Sequence, residues 1–174
     1  LLLVTRRRWP REAPPPARSA GDGSGGPWWA AAAPWLGVLA FAAYTGVEFA
    51  VGLWSASLLV ESRGMPPERA GTWVGLYYAA ITAGRFVTGL VSERVGNRAM
   101  VRGGLGLAGL GGLLLLARPL PAAALAGLLL LGLGFAPVYP GLMHETPRRF
   151  EPAVARSVIG LQVGAASVGG PVLP

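Results

Sequence analysis

The chain has 174 residues, 52% of them hydrophobic and 13% charged, with a mean hydropathy of +0.49, and its apolar residues are gathered into blocks, which excludes an ordinary water-soluble domain. All 15 basic residues are arginine and the formal net charge is +7, yet the arginines sit between the blocks without interleaved aromatic residues, so no nucleic-acid partner is expected. Cysteine is absent, which removes disulfides and thiolate metal sites.

In chain order, LLLVTRRRW places apolar residues before its charges, the reverse of a signal peptide, and reads as the end of a preceding helix. The following segment is rich in Arg, Pro, Gly, Ser and Ala, with PPP at 14–16 and GDGSGG at 21–26, so residues 1–34 are expected to be a helix end and a flexible central linker. Arg6, Arg7, Arg8, Arg11 and Arg18 put that linker on the cytoplasmic side under the positive-inside tendency. Four blocks follow at 35–60, 71–92, 99–117 and 120–143, each near the about 20 residues that cross a bilayer, and a fifth, 156–174, is incomplete. Alternating crossings put the loops bearing Arg94, Arg98 and Arg102 and bearing Arg148, Arg149 and Arg156 on the cytoplasmic side, with ESRGMPPER and ARPLP outside. The chain lacks an initial Met and stops inside an apolar run, so it is expected to be an internal piece of a longer, all-α, multi-pass membrane protein.

Glu48 lies near the middle of the first block, where a carboxylate costs on the order of 3 kcal/mol to insert. Arg85, in the next antiparallel block, is its nearest candidate partner. Tyr44, Glu48 and Ser55, and likewise Tyr78, Thr82, Arg85 and Ser92, fall at helical spacings that make polar stripes. Two readings are open: a structural ion pair that fixes packing, or a direct part in substrate or proton handling. Tyr44, Tyr78 and Trp54 could stack on a flat ligand or belong to the lipid belt, and Trp28, Trp29 and Trp35 suit interfacial anchors. Gln162 is a further candidate for hydrogen bonding to cargo.

In GFAPVYPG, Pro137 and Pro140 remove amide donors and free the carbonyls of Leu133 and Ala136, which predicts either a functional bend or a plain helix-end irregularity. The glycines, including Gly71 with Gly75 and the cluster from 103 to 112, suit close helix packing in lipid. Gly104, Gly106 and Gly109 satisfy GxGxxG, but no strand precedes them and no acidic residue follows at the ribose position, so no dinucleotide is expected. His144 precedes Glu145, but Arg148 occupies the second histidine position of HExxH. Neither a metal, another cofactor nor an enzymatic activity is expected, and His144 reads as a solvated loop residue.

The turn GLVSERVGNR at 89–98 is too short and too charged to lie in hydrocarbon. Arg94 and Arg98 suit the carbonyl end of the finished helix or lipid headgroups, and Glu93 suits a helix N-terminus. The turn resembles the loop signature of the major facilitator superfamily, in the copy between the eighth and ninth helices, with Glu93 where Asp is more usual and Asn97 where a base is common. YTGVEFAVGLW at 44–54, GRF at 84–86 and GFAPVYPG at 134–141 resemble the seventh, eighth and tenth helices of its fucose-permease-like branch of sugar:proton symporters.

That resemblance implies a partial second six-helix bundle and a plasma (inner) membrane transporter working by alternating access with a missing N-terminal half. It implies a small-molecule substrate, a sugar with protons, handled by Glu48, Arg85, Tyr44, Tyr78 and Gln162. It also implies a conformational latch at Gly89, Glu93, Arg94, Gly96 and Arg98. A drug or metabolite efflux antiporter and, from another class, a non-transporting membrane scaffold are the alternatives.

Overall fold

The computed structural model describes residues 27–117 and 121–172, without the side chains of 93 and 169–172. The expected helix end and most of the linker, at 1–26, lie outside the described residues, as do Arg118 to Leu120, the last two residues and the side-chain role expected of Glu93.

A short 3-10 turn at Trp28–Ala30 leads into α1 (Ala32–Arg63), followed by α2 (Pro67–Val95), α3 (Asn97–Leu116), α4 (Pro121–Phe135), α5 (Val138–Arg149) and α6 (Pro152–Val172). Helix α1 starts earlier than the expected span because Ala32 and Ala33 are strong helix formers and Pro34 falls in the first turn, where its missing N–H is harmless. At 32 residues it is about 48 Å long, more than a bilayer core needs, so its last turn, with Glu61 and Arg63, extends beyond hydrocarbon. Gly64 ends it in a left-handed conformation. The N–H groups of Gly64 and Met65 reach back to the carbonyls of Val60 and Leu59 at 3.0 and 3.2 Å, and Leu59 and Met65 are buried together across the cap. Pro67 and Pro152 open α2 and α6, where proline's fixed φ suits a first helical turn.

Among the described residues four segments are long and apolar enough to cross a membrane: α1, α2, α3 and the run from α4 through α5. Of the most apolar stretch of that last run 56% is buried, against 17% for α3, so α4 is the central rod and α3 a peripheral one. The fourth expected span is therefore two helices, interrupted at Ala136 and Pro137. Its second part also runs past the expected end at 143 to Arg149, supported by the Glu145–Arg149 pair one turn apart and the Thr146 hydroxyl bonded to the Leu142 carbonyl at 3.2 Å. Large apolar side chains such as Phe86, Leu90, Leu113 and Leu116 point outward, as lipid-facing positions do.

The tightest contact is the antiparallel seam of α3 on α4. A Cβ on Gly111 would stand 2.7 Å from the Gly127 carbonyl, and one on Gly134 would stand 2.5 Å from the Ala108 nitrogen, so the two backbones touch. The expected packing role of the glycines needs correction elsewhere: Gly71, Gly75, Gly103, Gly106, Gly109 and Gly112 have nothing within 4 Å of such a carbon. A regular spacing of small residues marks a groove, but only neighbouring helices decide which groove is filled. Arg63 ties α1 to the C-terminal end of α3, donating to the Leu115 carbonyl and, at 3.2 Å, to that of Ala117.

Replacing Gly111 with Val should lower the unfolding free energy in detergent by about 2 kcal/mol, whereas Gly106→Ala should change it by less than about 0.5 kcal/mol. Denaturation in mixed micelles followed by circular dichroism distinguishes them; equal effects would show that the seam is not where the backbones meet.

Candidate functional site

Helices α1 and α2 bring their polar positions together beside the interruption between α4 and α5. The Glu48 carboxylate is mostly buried, and its Oε1 lies 3.3 Å from Nη2 of Arg85. Its Oε2 accepts a hydrogen bond from the Tyr44 hydroxyl one turn earlier on α1. The Tyr44 oxygen also lies 3.0 Å from the carbonyl of Phe135, the last residue of α4. Since a phenol has one proton, Tyr44 serves one of these acceptors at a time. The ionised carboxylate is the stronger acceptor.

Three further aromatic residues complete the surroundings. Tyr77 is fully buried and its hydroxyl donates to the backbone carbonyl of Glu48 at 3.0 Å. The Arg85 guanidinium lies over the Tyr139 ring, 5.6 Å from its centroid, and Phe41 packs edge-on against that ring at 4.8 Å. Gly84 makes the approach close: a Cβ there would stand 2.5 Å from that of Ala136, so α2 rests on the interrupted backbone.

Among the expected site residues, Glu48, Arg85 and Tyr44 meet. Tyr78, on α2, meets α1 one turn beyond Glu48: its hydroxyl is against Gly52, its ring is edge-on to Tyr77 at 5.0 Å, and it is 42% exposed. Gln162 is not brought to this cluster. It is buried between α1, α5 and α6, accepts at 3.1 Å from the Thr146 hydroxyl, whose one proton serves either this oxygen or the Leu142 carbonyl, and donates to the Gly37 carbonyl at 3.5 Å. Gly37 is 11 residues before Glu48, about 16 Å along the helix.

A cavity of about 350 Å³ runs from Arg85 toward the arginine-rich end of the bundle, past Tyr139, Pro140, Ser92 and Asn97 to His144. His144, expected in a loop, is an exposed residue of α5 at this cavity. Gly89 lines it too.

At that end a single residue, Gly96, joins α2 to α3 with φ of 79° and ψ of 143°, a conformation that a side chain would strain. The reversal makes Arg98 part of the first turn of α3, where the helix dipole repels a cation. Its guanidinium lies 3.6 Å from Glu145 of α5, which Arg149 also engages at 3.0 Å. Of the two placements expected of Arg98, the carbonyl end of α2 is thus corrected and lipid headgroups stay open, while Arg94 does stand in the last turn of α2. Asn97 donates to the Gly141 carbonyl at 2.9 Å, fastening the turn to α5. Glu145, Asn97 and Tyr77 are absent from the expected set. The i,i+4 spacing of Glu145 and Arg149 is a local signal by which Glu145 could have been found.

Helices of membrane-spanning length, an ion pair in mid-span and a broken helix beside it define a polytopic membrane protein with a polar interior site. The family model of the Major Facilitator Superfamily matches residues 1–174, and the chain belongs to that superfamily. Its members are transporters rather than enzymes, and membership implies a small-molecule substrate and a lipid bilayer. No curated protein and no solved structure matches the chain.

The hydrogen bond from Tyr44 to Glu48 and the Arg98–Glu145 ion pair should differ in strength. A double-mutant cycle between Tyr44→Phe and Glu48→Gln should give a coupling of about 1–3 kcal/mol, because the pair is screened from water. The same cycle for Arg98→Gln and Glu145→Gln should give less than about 1 kcal/mol, because Arg98 is largely exposed. The reverse order would mean that the Glu48 cluster is open to water.

Proposed function

We propose that the protein is a secondary active transporter moving a small polar solute with protons by alternating access, with Glu48 as the proton-exchanging group. The observation that carries this reading is the mid-span carboxylate held between one cation and one phenol. With Glu48 ionised, Arg85 balances its charge and the Tyr44 proton is drawn to the carboxylate. With Glu48 protonated, its own O–H can donate to Tyr44, whose proton then turns to the Phe135 carbonyl at the end of α4. A change in charge thereby becomes a change in hydrogen bonding at the interrupted helix, where Pro137 and Pro140 leave a place to bend.

The cavity beyond Arg85 serves as the inner approach, and the Tyr139 ring offers a flat apolar face to a sugar-like solute. Gly89, Arg94, Gly96 and Arg98 act as the cytoplasmic latch through the Glu145 and Asn97 contacts, which favour the state in which α3 and α5 are joined. Gln162 acts as a packing tie in this scheme. The positive-inside distribution supports a cytoplasmic orientation of the arginine-rich end, and residence in the plasma (inner) membrane is part of the same proposal.

In the intact protein reconstituted in vesicles, Glu48→Gln should abolish solute-driven proton movement while leaving solute exchange without a gradient. Tyr44→Phe should retain solute binding and lower coupled transport at least about tenfold, equivalent to about 1.4 kcal/mol. Unchanged proton movement in Glu48→Gln would remove Glu48 as the carrier.

A further inference from the structure

At the arginine-rich end, two adjoining clefts of about 660 and 390 Å³ lie along the facing ends of α3 and α5 and share Asn97, Arg98, Glu145 and Arg149. Arg148 lines the first and Arg102 the second. Among the residues lining these clefts four guanidiniums face one carboxylate, and that carboxylate already serves Arg98 and Arg149. Arg102 and Arg148 therefore bring positive charge for which the cleft lining, among the described side chains, offers no second anion.

The arrangement is graded with depth. Arg102 follows Arg98 by one turn on the same face of α3, about 6 Å farther into the bundle. Val101 and Leu142 line the cleft beside it, and the same face of α3 continues to Leu105, which is 51% exposed. A ligand that fits such a surface has a compact anionic head and an apolar tail that follows the outward face of the helix. A soluble phosphate would use the guanidiniums alone and gain nothing from Val101, Leu142 or Leu105.

We propose that this cleft binds the phosphate headgroup of an anionic phospholipid, with Arg102 and Arg148 as the principal contacts and an acyl chain lying along α3 past Leu105. The site is separate from the Glu48 cluster, and its cleft shares Asn97, Arg98 and Glu145 with the proposed latch. Basic pockets at helix ends attract anionic headgroups with about 1 kcal/mol per arginine, about fivefold in affinity each.

The test is native mass spectrometry of the detergent-purified protein with added phosphatidylglycerol or phosphatidylcholine. Phosphatidylglycerol should be retained in preference, Arg102→Gln combined with Arg148→Gln should weaken its binding roughly 30-fold, and Arg69→Gln, in the first turn of α2, should leave it unchanged. Glu145→Gln removes the competing carboxylate and should tighten binding about fivefold, which keeps the test informative where the double variant folds badly. Equal retention of the two lipids, an unaltered double variant, or no gain in Glu145→Gln would overturn the assignment. Displacement of the lipid by millimolar glycerol phosphate would also overturn it, as a site for a free anion.

Discussion

A carboxylate in the middle of an apolar helix has to be compensated by the protein, because lipid offers it neither water nor counterion. Glu48 meets that demand with Arg85, Tyr44 and the aromatic groups around them, and the positions of α1, α2 and the α4–α5 interruption are tied to doing so. Arg85 is in turn held over Tyr139, a residue of α5 just past the interruption. One buried charge thus connects the consecutive helices α1 and α2 to the distant α5.

Close approach makes this geometry available. Gly84 lets α2 rest on the backbone at Ala136, and Gly111, Gly127 and Gly134 let α3 press on α4 from another side. The central rod is confined by small residues along its length and interrupted where the polar cluster touches it. At the arginine-rich end the contacts are different in kind: Arg98 is exposed and its link to Glu145 is long, so the joint between α3 and α5 is weak enough to form and break. A strong anchor in mid-span and a weak one at the membrane face are what a two-state transporter requires.

The membrane-spanning helices are legible in the sequence because block length and loop charge are one-dimensional properties. Glu48 and Arg85 are legible for a related reason: each is an isolated charge in an apolar block, and antiparallel neighbours put them at similar depth. Pro137 and Pro140 mark the interruption, but proline chemistry alone does not reveal that Tyr44 reaches the Phe135 carbonyl rather than those freed at Leu133 and Ala136. Tyr77 and Tyr78 are adjacent aromatics, and only the packing of α2 on α1 decides that Tyr77 turns inward. Glu145 finds Arg98 across 47 positions of chain, and Gln162 finds Gly37 across 125, distances at which a local pattern carries no information. The superfamily resemblance is shown by the match over the whole chain, while branch and cargo rest on helix motifs that packing does not explain.

The central claim is that Glu48 and Tyr44 form one hydrogen-bonded unit whose proton arrangement changes with the charge of the carboxylate. Infrared difference spectroscopy of the reconstituted protein across a pH step reads both groups at once. The account predicts a carboxyl signal lost in Glu48→Gln and a phenol signal lost in Tyr44→Phe that rise and fall together, each altered by the other substitution. A Glu48 carboxyl signal that titrates identically with and without the Tyr44 hydroxyl would contradict it.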